Sequence, residues 1–176
     1  MAGQRLTDKT ALEEQTGSGD LYMIVDVSDS TGSADGTSKK LDSKFVIQTD
    51  KFSLNNTEVQ ALNSSPKTLI GALSGYMPTI FNVTMLCTYA SSTESSSNNM
   101  YFGFDSSSTS SYWYQIRDAM NTKTTDITYM ASAGPPAGGA WTSTILNKPF
   151  IMWSNAAFNG GWSCDVYVTY CYTKVL

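Results

Sequence analysis

The stretch CDVYVTYCYTKV, from Cys164 to Val175, alternates with a period of two residues. Cys164, Val166, Val168, Tyr170 and Tyr172 make one wholly apolar set, and Asp165, Tyr167, Thr169 and Cys171 make a half-polar one. Successive side chains of an extended chain point to opposite faces. The stretch therefore reads as a long strand with a core face and an outward face. A strand of this kind needs sheet neighbours and a second layer over its apolar side. Tyr167, apolar on the outward face, is a candidate subunit contact.

Working outward, the chain from Lys51 onward has the same texture. Candidate strands are 52–54, 60–62, 67–70, 79–89, 99–104, 126–131, 147–154 and 164–173. Alternation in FNVTMLC places Phe81, Val83, Met85 and Cys87 on one face. Between the candidates lie SSTESSSNN (91–99), DSSSTSS (105–111) and SAGPPAGGA (132–140), all rich in turn and loop formers. A single helical turn is expected over Tyr112–Met120. About eight short strands punctuated in this way predict an all-β fold, an antiparallel, jelly-roll-like β-sandwich. No fixed-period repeat or sustained heptad is present, which excludes a coiled-coil shaft.

Residues 1–50 read differently. Residues 1–19 form an extended arm with few apolar anchors (Leu6, Ala11, Leu12), in which Thr10 and Glu13 suit a short capped turn. LYMIVDV (21–27) is a strand with Leu21, Met23, Val25 and Val27 on one face. SDSTGSADG (28–36) is dense in turn residues, and TSKKL (37–41) returns as the second strand of a hairpin. A short helix over Ser43–Gln48, capped by Asp42, is expected to lead onward. Two strands alone are marginal in water. The arm and hairpin therefore form a segment that orders against a partner, followed by a sandwich domain at 51–176.

Composition narrows the chemistry. The chain has 176 residues, 41% of them hydrophobic and only 15% charged. It carries 24 Ser and 21 Thr, so hydroxyls and amides cover much of its surface. A net charge of −4 with 11 basic residues argues against nucleic-acid binding. No apolar run approaches the roughly 18 residues of a membrane span, and no basic helix suggests a membrane surface. The polar N-terminus MAGQRLTDKTALEEQ lacks a secretory apolar stretch, so synthesis in the cytosol is expected.

The absence of histidine removes Ser-His-Asp and Cys-His nucleophile systems and the commonest zinc ligand. No cofactor or metal is expected. The Asp-rich DVSDSTGSADG departs from the EF-hand template, with Lys40 where the closing Glu would stand. Asp26, Asp29 and Asp35 read as turn residues instead. Few carboxylates fall in the sandwich (Glu58, Glu94, Asp105, Asp118, Asp126, Asp165), and no pair is placed for glycoside hydrolysis. An enzyme is not expected. The three cysteines, Cys87, Cys164 and Cys171, read as free thiols with two in the core. A Cys87–Cys164 bridge would need an oxidising compartment.

Aromatic residues remain. Tyr112, Trp113 and Tyr114 form a block, and Trp141, Trp153 and Trp162 lie near Gly-rich stretches. Exposed rings of this type stack on sugars, which makes Tyr112, Trp113, Tyr114 and Trp141 candidate glycan contacts. Burial in the core or in a subunit interface is the preferred reading over glycan contact, since aromatics bury the most area.

Three segments carry a resemblance to tailed-phage virion structural proteins. DLYMIVDVSDSTGSADGTSKKL (20–41) resembles the N-terminal segment of many phage fibre and appendage proteins. TEVQALNSSPKTLI (57–70), with VQALNSSPKTLI read as strand, turn and strand, resembles the opening of a β-sandwich domain found in such proteins. NKPFIMWSNAAFNGGWSCDVYVTYCY (147–172) resembles that domain's close. One departure is GALSGYMP after Ile70, where such domains often run Pro-Ala-Pro-Gly. The resemblance implies a virion location and a homotrimer that contacts other virion proteins of the capsid or tail. Leu6, Leu12, Leu21, Met23, Val25 and Val27 would then be the anchoring residues. Short length and the missing shaft favour a head fibre or capsid decoration protein. A tail fibre or adhesin that binds a host glycan is the rival.

Overall fold

The structure, a computed structural model, describes residues 21–29, 31, 37–104, 112–132 and 145–174, with the side chains of Leu21, Tyr22 and Val25 outside the description. The chain divides into two compact units, Met1–Phe45 and Val46–Leu176.

In the first unit, β1 (Leu21–Asp26) pairs antiparallel with β2 (Thr37–Asp42), from Leu21 opposite Asp42 to Asp26 opposite Thr37. The turn chemistry is local. The Asp26 carboxylate accepts from the Ser28 N–H at 3.0 Å and from its hydroxyl at 2.6 Å. Asp29 does the same for Thr31 and pairs with Lys39. These bonds hold Asp26 below the ordinary carboxylate range and bring Asp29 down to about 2, with Lys39 the main cause for Asp29. Both aspartates act as turn residues, and Asp35 lies outside the described residues. The helix expected over Ser43–Gln48 is only a 3-10 turn at Ser43–Phe45, which the Asp42 carboxylate opens by accepting from the Lys44 N–H. By Gln48 the chain is already extended.

The second unit contains β3 (Gln48–Leu54), α1 (Asn56–Gln60), β4 (Lys67–Ile70), β5 (Tyr76–Tyr89), β6 (Met100–Gly103), β7 (Tyr114–Ile116), β8 (Ile127–Ser132), β9 (Phe150–Ser154) and β10 (Trp162–Lys174). The strands form two four-stranded sheets, ordered β3-β10-β5-β8 and β4-β9-β6-β7, with antiparallel pairing throughout. The all-β antiparallel sandwich expected from the alternation is the observed fold. One hydrophobic core joins the sheets. Leu54, Val83, Met85, Cys87, Cys164, Val166 and Val168 face it from the first sheet, and Leu69, Met100, Phe102, Ile116, Phe150 and Met152 from the second. Among the described residues no helix is long and apolar enough to cross a membrane.

Three local expectations are corrected. The candidate strand 60–62, and with it the strand-turn-strand reading of VQALNSSPKTLI, is replaced by helix α1 and a following turn before β4. The Asn55 side chain accepts from the Glu58 N–H at 3.0 Å, and Glu58 accepts from the Asn55 N–H at 2.9 Å, a complete capping box. Val59 and Leu62, three apart and both fully buried, are the helical spacing behind it. The helical turn expected over Tyr112–Met120 is strand β7, followed by a loop in which Asp118, Met120 and Thr122 have φ of 46°, 61° and 58°. Left-handed residues at every second position exclude an α-helix there. Finally, Phe81 does not share the face of Val83. Thr169 pairs with Asn82 but Tyr170 pairs with Ile80, so Phe81 is the extra residue of a β-bulge. Ile80 takes the buried place and Phe81 is left half-buried.

Candidate interaction surfaces

The outward face of the first sheet is built around β10. The Asp165 carboxylate accepts from the Ser53 hydroxyl at 2.6 Å and pairs with the Lys51 ammonium at 2.8 Å. The Lys51 ammonium also lies 5.7 Å from the centre of the Tyr167 ring. This pairing lowers the Asp165 pKa and raises that of Lys51. Thr49 and Thr169 share a hydroxyl hydrogen bond of 2.8 Å one step along. Across the sheet, Tyr167 stands opposite Thr84, which stands opposite Met130, and Asp165 stands opposite Leu86. Met130 is 68% exposed and Leu86 39%. The face thus carries an ion-paired group over β3 and β10 and, over β5 and β8, two exposed apolar side chains, Leu86 and Met130, among Asn82, Thr84, Thr88, Thr128 and Ser132.

The outward face of the second sheet is covered instead. Tyr101, Ile151 and Trp153 point away from the main core, yet all are buried in a second, smaller cluster with half-buried Tyr112 against it. Tyr101 stacks on Trp153 with ring centres 5.4 Å apart and planes 16° from parallel. Tyr112 tilts against Tyr101 at 5.4 Å. Gly103 makes room for this layer: a Cβ there would meet the Trp153 ring at 3.1 Å and the Trp113 backbone nitrogen at 3.2 Å. The runs MYFGF (100–104) and FIMW (150–153) signal this cluster, because a continuous apolar run marks a strand buried on both faces.

At one end of the sandwich a buried carboxylate ties three loops together. Glu94 accepts from the Ser96 N–H and hydroxyl, and from the N–H groups of Asn159 (2.7 Å) and Gly160 (2.8 Å). Its own carbonyl accepts from the Thr122 N–H at 2.8 Å. Burial opposes the charge, but the four donors outweigh it and the pKa falls below the ordinary glutamate value. A side chain at Gly160 would strike the Trp162 ring at 2.7 Å, and one at Gly161 the Ser91 hydroxyl at 2.4 Å. With four donors of its own chain aimed at it, the Glu94 carboxylate shapes these loops. A hollow of about 170 Å³ beside α1 has Leu54, Ala61 and Pro66 in its lining and the Lys67–Glu58 ion pair (2.7 Å) at its edge.

The sequence candidates fall in different places. Tyr167 is half-buried under Lys51. Met23 and Val27 are exposed, at 65% and 79%. Ile24, on the alternate register position, is exposed too. The side chains of Leu21 and Val25, and Leu6, Leu12 and Trp141 altogether, lie outside the described residues. Trp113 packs its edge against Phe150 at 5.7 Å and Tyr114 at 6.3 Å, and Tyr114 is 38% exposed. Trp153 and Trp162 are buried. Cys87 and Cys164 are directly paired across β5 and β10 with sulfurs 3.2 Å apart, both buried, whereas Cys171 is half-buried.

No protein-family model matches the chain, and no curated protein sequence does. Among solved structures it is similar to "PRD1 vertex protein P5", at 14% identity and a TM-score of 0.35, over 90% of this chain and 85% of that one. A likeness of that size carries no argument about what the chain does.

Proposed function

We propose that the chain is a non-enzymatic structural protein of a tailed-phage virion, a homotrimeric head fibre or capsid decoration protein exposed on the particle. One observation carries the reading. The second unit holds a core that joins two complete sheets, whereas in the first unit Ser43 is the only buried residue among those whose burial is described. The hairpin instead presents Met23, Ile24 and Val27. A two-stranded element with exposed apolar residues gains stability by docking. The resemblance of residues 20–41 to phage anchoring segments supports virion proteins of the capsid or tail as the dock. The low-charge, hydroxyl-rich surface suits an exterior knob. In this reading residues 1–50 anchor the chain, and Tyr167 with its outward-face neighbours meets the next subunit. No cofactor, nucleic acid or membrane enters the reading.

A chain beginning at Val46 tests the anchor, since β3 already starts at Gln48. It should melt cooperatively and fail to co-sediment with particles that the full chain decorates. Equal decoration by both forms refutes the anchor, and purified particles without the protein by immunogold labelling refute the virion location.

Half-exposed Tyr114, with Tyr112 and Trp113 beside it, favours a second reading: a tail-fibre or receptor-binding adhesin that stacks a host glycan on this block. Glycan-array binding that Tyr114→Ala abolishes at unchanged melting temperature would select it.

A further inference from the structure

We infer that Cys87 and Cys164 form a redox-closable cross-strand pair, a latent disulfide that clamps the two central strands of the first sheet. The two residues are direct partners in the β5–β10 register, where the antiparallel pairing is longest. Antiparallel partners have Cα atoms about 4.5–5.5 Å apart, inside the range a disulfide spans. Their sulfurs, 3.2 Å apart, need only close to the ~2.05 Å of a disulfide bond. The row across the sheet runs Leu54, Cys164, Cys87, Ile127, so the pair sits centrally and not at an edge.

The same position governs when the bond closes. Both thiols are buried, at 1% and 2% exposure, and the Trp162–Tyr89 ring pair (5.2 Å) flanks them in the next row. The sulfur–sulfur contact and burial push the Cys87 pKa up, which keeps it a thiol. A thiol without thiolate character and without access exchanges slowly. The bond therefore closes only when the chain folds under oxidising conditions, while the strands are still open, and protein already folded in the reduced form resists oxidation. With a low-molecular-weight disulfide such as oxidised glutathione, one cysteine thiolate attacks a glutathione sulfur and expels a glutathione thiolate. The second cysteine thiolate then attacks the protein sulfur of the mixed disulfide and expels the other. Two protein thiols are oxidised, one glutathione disulfide is reduced, and the two protons end on the two glutathione thiols.

The test uses the full chain and its Cys171→Ser variant, refolded from denaturant with a glutathione redox buffer or with reductant. Peptide mapping without reduction should find Cys87 linked to Cys164 in both proteins. The linked form should melt about 10 °C higher, the size expected when a disulfide closes a long loop in a chain of this length. Folded reduced protein placed in the same buffer should keep both thiols and yield the link far more slowly. Thiols that all remain free after oxidative refolding overturn the inference. So does a link that involves Cys171 in the full chain and vanishes in its variant, or a linked form that melts lower than the reduced one.

Discussion

Trp162 and Trp113 show how burial sets the consequence of losing the same side chain. Trp162 is fully buried, edge-on to Tyr89, and opens the central strand β10. Trp162→Ala should cost roughly 3–5 kcal/mol, read as a lower urea midpoint at unchanged slope. Trp113 is only half-buried, so its alanine variant should cost clearly less. A near-equal loss would mean Trp113 is held as tightly as a core residue. Glu94 is a buried residue whose charge is held by hydrogen bonds. Its folded pKa lies below the unfolded value of about 4.5, so the unfolded chain binds more protons in that range. Its contribution is present above pH ~4.5 and is lost as pH falls through the depressed folded value. Glu94→Gln would turn an N–H₂ toward donors that now meet an oxygen, costing about 2–3 kcal/mol at neutral pH. Denaturation curves at pH 7 and pH 3 should show a smaller difference for the variant than for the natural chain. Identical pH dependence would remove Glu94 from that role.

At the scale of elements, α1 is short and its cap does much to define it. Asn55→Ala deletes the acceptor of the Glu58 N–H and should destabilise by about 1 kcal/mol, measured by thermal melting. Glu58 would keep its 2.7 Å ion pair with Lys67, so a change within error would show that the pair alone holds the turn. Strand β7 makes the opposite point. It has three residues and is fixed by pairing with β6, Met100 opposite Ile116 and Phe102 opposite Tyr114. Nothing in Tyr112–Met120 taken alone favours extension over a helical turn. Partner strand and loop strain decide it.

For the whole molecule, the proposed trimer is the property that distinguishes a virion knob from a solitary domain. Multi-angle light scattering of the full chain at micromolar concentration should give about three times the 19.1 kDa chain mass. Leu86→Lys and Met130→Glu, which change the two exposed apolar side chains on the outward face of β5 and β8, should lower that mass at unchanged melting temperature of the sandwich. A monodisperse monomer at both low and high salt would refute the trimer.

Much of the sandwich was legible because alternation is a local property. Two-residue periodicity in 164–173 and 83–87 marks strands with one face in a core, and no distant contact is needed to see it. The Asx turns at Asp26 and Asp29 were legible for the same reason, since each carboxylate bonds a residue two positions on. What tertiary structure decided involves partners far apart in the chain. The bulge at Phe81 is set by register against Tyr170, and the burial of Tyr101 and Trp153 by their packing with Ile151 and Tyr112. The carboxylate of Glu94 meets its donors 65 and 66 residues away, and the Cys87 sulfur meets Cys164 77 residues away. A side chain's own neighbours in sequence set which way it points. Only the packed sheets set what it meets there.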